Sequence, residues 1–193
     1  LTGRGSDSTR YLDGYTGSTN PIPAGVWSHL LISIDLSNSS NRKVYVNDVD
    51  ITSSFTFSNS NGLIDFSPAG TVQTKVATSA DTGSEYAGDI AHVYLDYTYR
   101  DLSVASNRRL FIDANGGSTS PSTLSALSPV LYLPMTTDYS IGKNLGTGGD
   151  FTAAGSPTIV QSGTEYVADS GKGGLLWIKD RDTGSHHILV DTA

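Results

Sequence analysis

The chain has 193 residues with 27 Ser, 21 Thr, 21 Gly and 17 Asp but only 2 Glu and 5 Lys; turn formers abound and surface-helix formers are nearly absent, which excludes a helical bundle. A formal charge of −7 without any basic run excludes a surface built to neutralise a phosphate backbone, so no nucleic-acid partner is expected. The absence of Cys removes disulfides, thiolate metal sites and cysteine nucleophiles, and no apolar stretch reaches the ~18 residues that cross a bilayer, so no membrane insertion is expected.

In chain order, Leu30, Ile32, Ile34 and Leu36 alternate onto one face after Trp27, the period of a half-buried strand, with Leu31 the one apolar residue turned outward. Polar residues 37–41 predict a turn. Val44 and Val46 then alternate around Tyr45 and stop at Asn47-Asp48, a pair that tolerates positive φ and closes a hairpin. Val49, Ile51, Phe55 and Phe57 continue in strand-like spacing, and short strands are predicted at 63–66 and 71–76. In the run from Gly88 to Tyr97, Ala91, Val93 and Leu95 form one face, while Ile90, His92, Tyr94 and Asp96 form a mixed face that reads as exposed.

One short helix is predicted over 103–114, with Asp101 or Ser103 as N-cap and Gly116-Gly117 as its end, because Val104, Arg108 and Phe111 fall at helical spacing. Residues 117–128 are Ser, Thr, Pro and Ala with two Leu and read as a loop or linker. Strand-like pieces follow at 130–133, 151–153, 158–160, 174–178 and 186–190. Strands at roughly ten-residue intervals between turn signals predict an all-β chain, an antiparallel two-sheet sandwich.

The run Gly25-Val26-Trp27-Ser28-His29-Leu30, followed by Lys43-Val44-Tyr45-Val46-Asn47-Asp48-Val49, resembles the laminin-G-like branch of the concanavalin A-like lectin/glucanase superfamily. There a Trp-His strand precedes a strand with a Tyr-Val-Asn-Gly hairpin; this chain has Asp48 where glycine is commoner. Tyr86 to Leu95 is similar to that family's last main strand, and Asp101-Leu102-Ser103 to its closing element. The segments Asp101–Ala114, Pro129–Leu133 and Asn144–Thr152, with Gly173–Asp182, resemble laminin-G-like proteins of tailed-bacteriophage virions. The resemblance implies a jelly-roll sandwich over 1–116 that lacks its opening strands, a Ser/Gly-rich connection with short strands over 117–160, and strands over 161–193 that complete the sandwich or open a further unit.

Catalytic chemistry finds little support in these residues. Superfamily glucanases bracket an aspartate with two glutamates on one strand, and no Glu-x-Asp-x-Glu is present; Glu85 and Glu165 stand far apart in unrelated contexts. There is no Gly-x-Ser-x-Gly elbow and no phosphate-binding loop, and Gly146-Thr147-Gly148-Gly149 lacks a following helix and reads as turns. His186 and His187, adjacent on a strand, face opposite ways and do not share an ion. His29 reads as a packing residue. Calcium is the one candidate cofactor: the family often binds it, and Asp-rich loops with Asp13, Asp48, Asp50 and Asp81 offer oxygen ligands, Asp48 and Asp50 being two residues apart. An aromatic platform for sugar binding is offered by Tyr11, Tyr15, Tyr94, Tyr97 and Tyr99.

The expected function is a non-enzymatic structural or attachment module of a bacteriophage virion, in a tail fibre or other exposed assembly, with other virion proteins or copies of itself as partners and host-surface polysaccharide as a ligand. The outer faces of Ala91 to Tyr97 and Lys43 to Val49 would then be assembly surfaces. The rival readings are a carbohydrate-binding module of a secreted or cell-surface protein, and an enzyme using Asp48 and Asp50 on a polysaccharide.

Overall fold

The computed structural model describes residues 2–4, 9–17, 21–22, 25–62, 64, 76, 88–114, 116–136, 138–159, 174–179 and 187–192. Among them the ordered backbone is mostly strand, in small antiparallel sheets with few helices. The strands predicted at 63–66 and 71–76 lie outside the described residues except for Ile64 and Val76.

β1 (Thr2–Arg4) pairs with β2 (Arg10–Thr16). β2 carries no apolar alternation to announce it, and its burial explains why: the inward face is Leu12, Gly14 and Thr16, one apolar residue among small or polar ones. Gly14 is required there because the Phe57 ring packs over it, and an added Cβ would come 2.8 Å from that ring.

β3 (Leu30–Ile34), β4 (Arg42–Val46) and β5 (Val49–Asp50) form a second sheet in that order. Leu31 is as buried as Leu30, so β3 is covered on both sides where it begins. The polar turn is held by Asp35, whose carboxylate accepts the N–H and hydroxyl of Ser37 and the side-chain amide of Asn41. Asn47 and Asp48 turn β4 into β5 at φ 49° and 64°, two left-handed residues between the paired Val46 and Val49, the geometry that suits strand twist in a two-residue hairpin. A 3-10 turn at Thr52–Ser54 leads into β6 (Phe55–Asn59), which pairs with β2. β4 therefore has a neighbour on each edge and is not a free assembly edge.

β7 (Val93–Leu95) and β8 (Leu131–Leu133) pair directly, Tyr94 opposite Tyr132. The mixed face expected to be exposed is buried: His92 is at 0% and Tyr94 at 7% exposure. The reason is a second layer. Tyr94 and Tyr132 enter a cluster with Leu30, Val44, Phe111, Ile112 and Leu124, while Val93, Leu131 and Leu133 on the other face pack with Ile90, Met135 and Phe151. A ribbon buried on both faces shows no hydrophilic alternation, and of the 91–97 run only Tyr97 is exposed.

The predicted helix over 103–114 is a single turn, α1 (Ala105–Arg108), with Val104 at the N-cap and no side-chain cap. Asp101 instead accepts the N–H and hydroxyl of Ser103. A second helix, α2 (Pro121–Ala126), stands where a linker was expected. The Ser120 hydroxyl caps it, Pro121 fills its first turn, and Leu124 anchors it in the core at 0% exposure. Residues 151–153 and 158–159 are not strands. The strand-like pieces expected at 174–178 and 186–190 are β9 (Gly174–Lys179) and β10 (His187–Thr192), which pair antiparallel and lie against β3 and β7.

Candidate functional site

The segment that leaves β7 turns back at Asp96-Tyr97-Thr98-Tyr99 and returns to the start of α1 past β3. Between this turn and residues 31–34 lies a cleft of about 110 Å3, with Tyr94, Leu102 and Phe111 in its wall. The turn forms because the Asp96 carboxylate accepts the Thr98 N–H at 2.9 Å, an aspartate turn that needs no glycine. The same carboxylate pairs with the Arg100 guanidinium and accepts from the Tyr94 hydroxyl at 3.2 Å. The Arg100 N–H reaches across to the Ser33 hydroxyl on β3 at 3.2 Å, and its guanidinium lies over the Phe111 ring. Tyr94 meets Phe111 edge to face, with centroids 5.1 Å apart.

Burial opposes ionisation of Asp96, but the Thr98 N–H and the Arg100 guanidinium outweigh it and hold its carboxyl below the usual range. Burial, and then the Asp96 charge, push the Tyr94 phenol up. Burial first, then the charges of Asp101 and Asp35, raise that of Tyr99. At neutral pH the cleft thus presents a fixed ion pair and protonated phenols. That equipment suits hydrogen bonding and ring stacking; it supplies no base of intermediate pKa for proton transfer.

Of the five candidate tyrosines, the structure brings three to this cleft. Tyr97 and Tyr99 are on its rim, 61% and 36% exposed, and Tyr94 is a buried wall residue, so its aromatic face is spent on the core and not on a ligand. Tyr11 and Tyr15 lie on β2 and do not line the cleft. Tyr11 is half-buried, its ring covering Gly62, while Tyr15 is exposed. Asp96, Arg100 and Ser33 escaped the sequence reading; only the four-residue spacing of Asp96 and Arg100 hinted at a pair.

No protein-family model, curated protein or solved structure matches the chain.

The candidate metal pair, Asp48 and Asp50, is held by partners within the protein. Asp48 sits in the hairpin turn, with Oδ1 accepting from Arg108 Nε at 2.6 Å and Oδ2 from Arg109 at 2.5 Å. Asp50 accepts from the Thr52 N–H and pairs with Lys43. Both carboxylates are occupied by cations or donors of the protein, and no cluster of three metal-ligating side chains exists among the described residues. Asp48 has a structural role: its carboxylate ties the hairpin turn to α1, where Arg108 also lies over the Tyr45 ring, 4.7 Å from its centroid. Burial disfavours the Asp48 anion, but both arginines more than compensate and lower its pKa.

Asp48→Asn, which keeps a residue suited to positive φ and removes the charge, is expected to cost about 2 kcal/mol, since it leaves the largely buried Arg108 without its anion. Thermal melts of both chains with calcium or with chelator check this. Equal melting temperatures in the two solutions are expected for the parent, and a calcium-dependent rise would overturn the structural role.

Proposed function

We propose that this chain is a non-enzymatic structural and attachment module of a bacteriophage virion, in a tail fibre or other exposed assembly. Its sheets belong to a jelly-roll sandwich of the concanavalin A and laminin-G-like kind, assembled with other virion proteins or copies of itself. Host-surface polysaccharide lies across Tyr97 and Tyr99. The phage assignment rests on the resemblance of Asp101–Ala114, Pro129–Leu133 and Asn144–Thr152 to virion proteins. The binding assignment rests on one observation: two exposed tyrosines stand on the rim of a cleft whose Asp96–Arg100 pair is fixed by the surrounding backbone. The cleft holds only about three or four waters' volume, so a sugar ring stacks on the rim and sends a hydroxyl inward.

Tyr97→Ala with Tyr99→Ala is expected to weaken binding to purified host polysaccharide at least tenfold, while stability changes by less than about 0.5 kcal/mol per site, as for other exposed positions. Glycan-array binding and calorimetry on the parent and double variant measure both. Undiminished binding by the variant, or polysaccharide cleavage by the parent, would reject the assignment.

A further inference from the structure

Two histidines are buried where the β3–β5 sheet meets the β7–β8 ribbon. His29 immediately precedes β3 and is 3% exposed. Its backbone is clamped to the hairpin turn from both sides: its N–H donates to Asn47 Oδ1 at 2.8 Å, and its carbonyl accepts the Asn47 N–H at 2.8 Å. His92 immediately precedes β7, is 0% exposed, and adopts a left-handed φ of 52° that a non-glycine residue holds only under constraint from its surroundings. Its N–H donates to the Pro134 carbonyl beyond β8, Nδ1 is 2.8 Å from the Tyr132 hydroxyl, and Nε2 has no hydrogen-bond partner among the described residues.

We infer that His29 and His92 form an acid-operated latch, closed while both rings are neutral and opened when protonation forces the β7–β8 ribbon away from the β3–β5 sheet. The groups facing His29 favour its charged form but less than burial opposes it, and the charge of His29 adds to what opposes protonation of His92. His29 faces Asp48, whose carboxylate is already held by Arg108 of α1 and by Arg109 just after it, and the Phe111 backbone. His92 faces the Tyr132 hydroxyl of β8 and His29 itself, a second base whose protonation repels its own. Burial, the dominant cause for each, lowers both to about 3 from an ordinary 6.5. Above pH 6.5 both rings are neutral folded or unfolded, and nothing is lost. As pH falls below 6.5 the unfolded or opened chain takes up protons that the closed one refuses, so stability drains away through the window between 6.5 and 3. The depressed carboxylates Asp48, Asp50 and Asp96 act lower, their contribution being present above 3.8 and lost as pH falls through their folded values. The upper part of the window therefore belongs to histidine.

The test uses the full chain in two arms. Nuclear magnetic resonance of the imidazole carbons from pH 8 downward should show the His29 and His92 rings staying neutral for as long as the closed form persists; titration of either ring near 6.5 within the closed chain overturns the inference. Denaturant midpoints from pH 7 to 4.5 should show the open-to-closed ratio rising by up to about a hundredfold per pH unit, tenfold from each ring. His92→Phe, similar in size and unable to titrate, should lower that slope to about tenfold, whereas His186→Gln with His187→Gln should retain most of it. A His92→Phe slope equal to the parent's overturns the latch; if that variant does not fold, the resonance arm on the parent decides alone.

Discussion

Asn144→Ala is expected to lower the unfolding free energy by about 4 kcal/mol, the largest effect of any single substitution considered for this chain. Asn144 is 6% exposed and uses its whole amide. Oδ1 accepts the N–H groups of Tyr132 and Gly146, each at 2.8 Å, while Nδ2 donates to the carbonyls of Val130 and Gly149. Truncation strands two donors and weakens two acceptors, and each buried group left without a partner costs about 1–3 kcal/mol. The loss spreads because this side chain seats the 144–148 segment along the outer edge of β8, where Leu145, Thr147 and Gly148 donate to the carbonyls of Tyr132, Pro129 and Val130. Gly146 belongs to the same arrangement: an added Cβ would come 2.6 Å from the Pro129 carbonyl oxygen. The glycine-rich run thus permits two backbones to approach, and where turns were expected the segment runs along the edge of β8. For a chain of this length the loss corresponds to roughly 8–16 °C in melting temperature. Calorimetry on Asn144→Ala measures it, and a change below about 1 kcal/mol would mean that water replaces the amide and that the edge is not closed by this residue.

What could be read from the sequence depended on whether one face of an element meets water. β4 and the hairpin turn were readable because Val44 and Val46 alternate and Asn47-Asp48 accepts left-handed backbone. β2 was not, since its inward side includes Gly14 beneath an aromatic ring supplied by β6, forty-three residues later in the chain. The face bearing His92 and Tyr94 was misjudged because side chains with polar atoms were taken to face solvent, whereas the paired strand β8 supplies Tyr132 for the imidazole and the same run supplies Asp96 for the phenol. Tyr97 and Tyr99 could be named as candidate platform residues, because composition points to exposed aromatics. The Asp96–Arg100 pair beside them could not, since an aspartate turn and a cation over Phe111 depend on where the chain returns. Asp48 was named for its oxygens, but charge alone does not distinguish a calcium ligand from the partner of two arginines sixty residues away.

Leu124→Ala is expected to cost about 3 kcal/mol, because it empties a fully buried site and the surrounding core relaxes only in part. α2 has six residues, too few to persist as an isolated helix in water, and Leu124 is its one buried residue. The Ser120 cap contributes about 1 kcal/mol by comparison, so Ser120→Ala should shift the melting temperature by about a third as much as Leu124→Ala. The consequence extends to the cleft. Thr119, just before the helix, donates its N–H to the Phe111 carbonyl and its hydroxyl to that of Leu110, and Ser118 bridges to Ile112. Phe111 in turn forms the cleft wall beneath Arg100. Leu124→Ala should therefore weaken saccharide binding several-fold at a temperature where the chain remains folded, and residues 117–128 should resist proteolysis in the parent but be cut in the variant. A variant that melts within about 0.5 kcal/mol of the parent would instead make the segment the loose linker its composition describes, and the cleft wall would have to be held by Arg100 and Tyr94 alone.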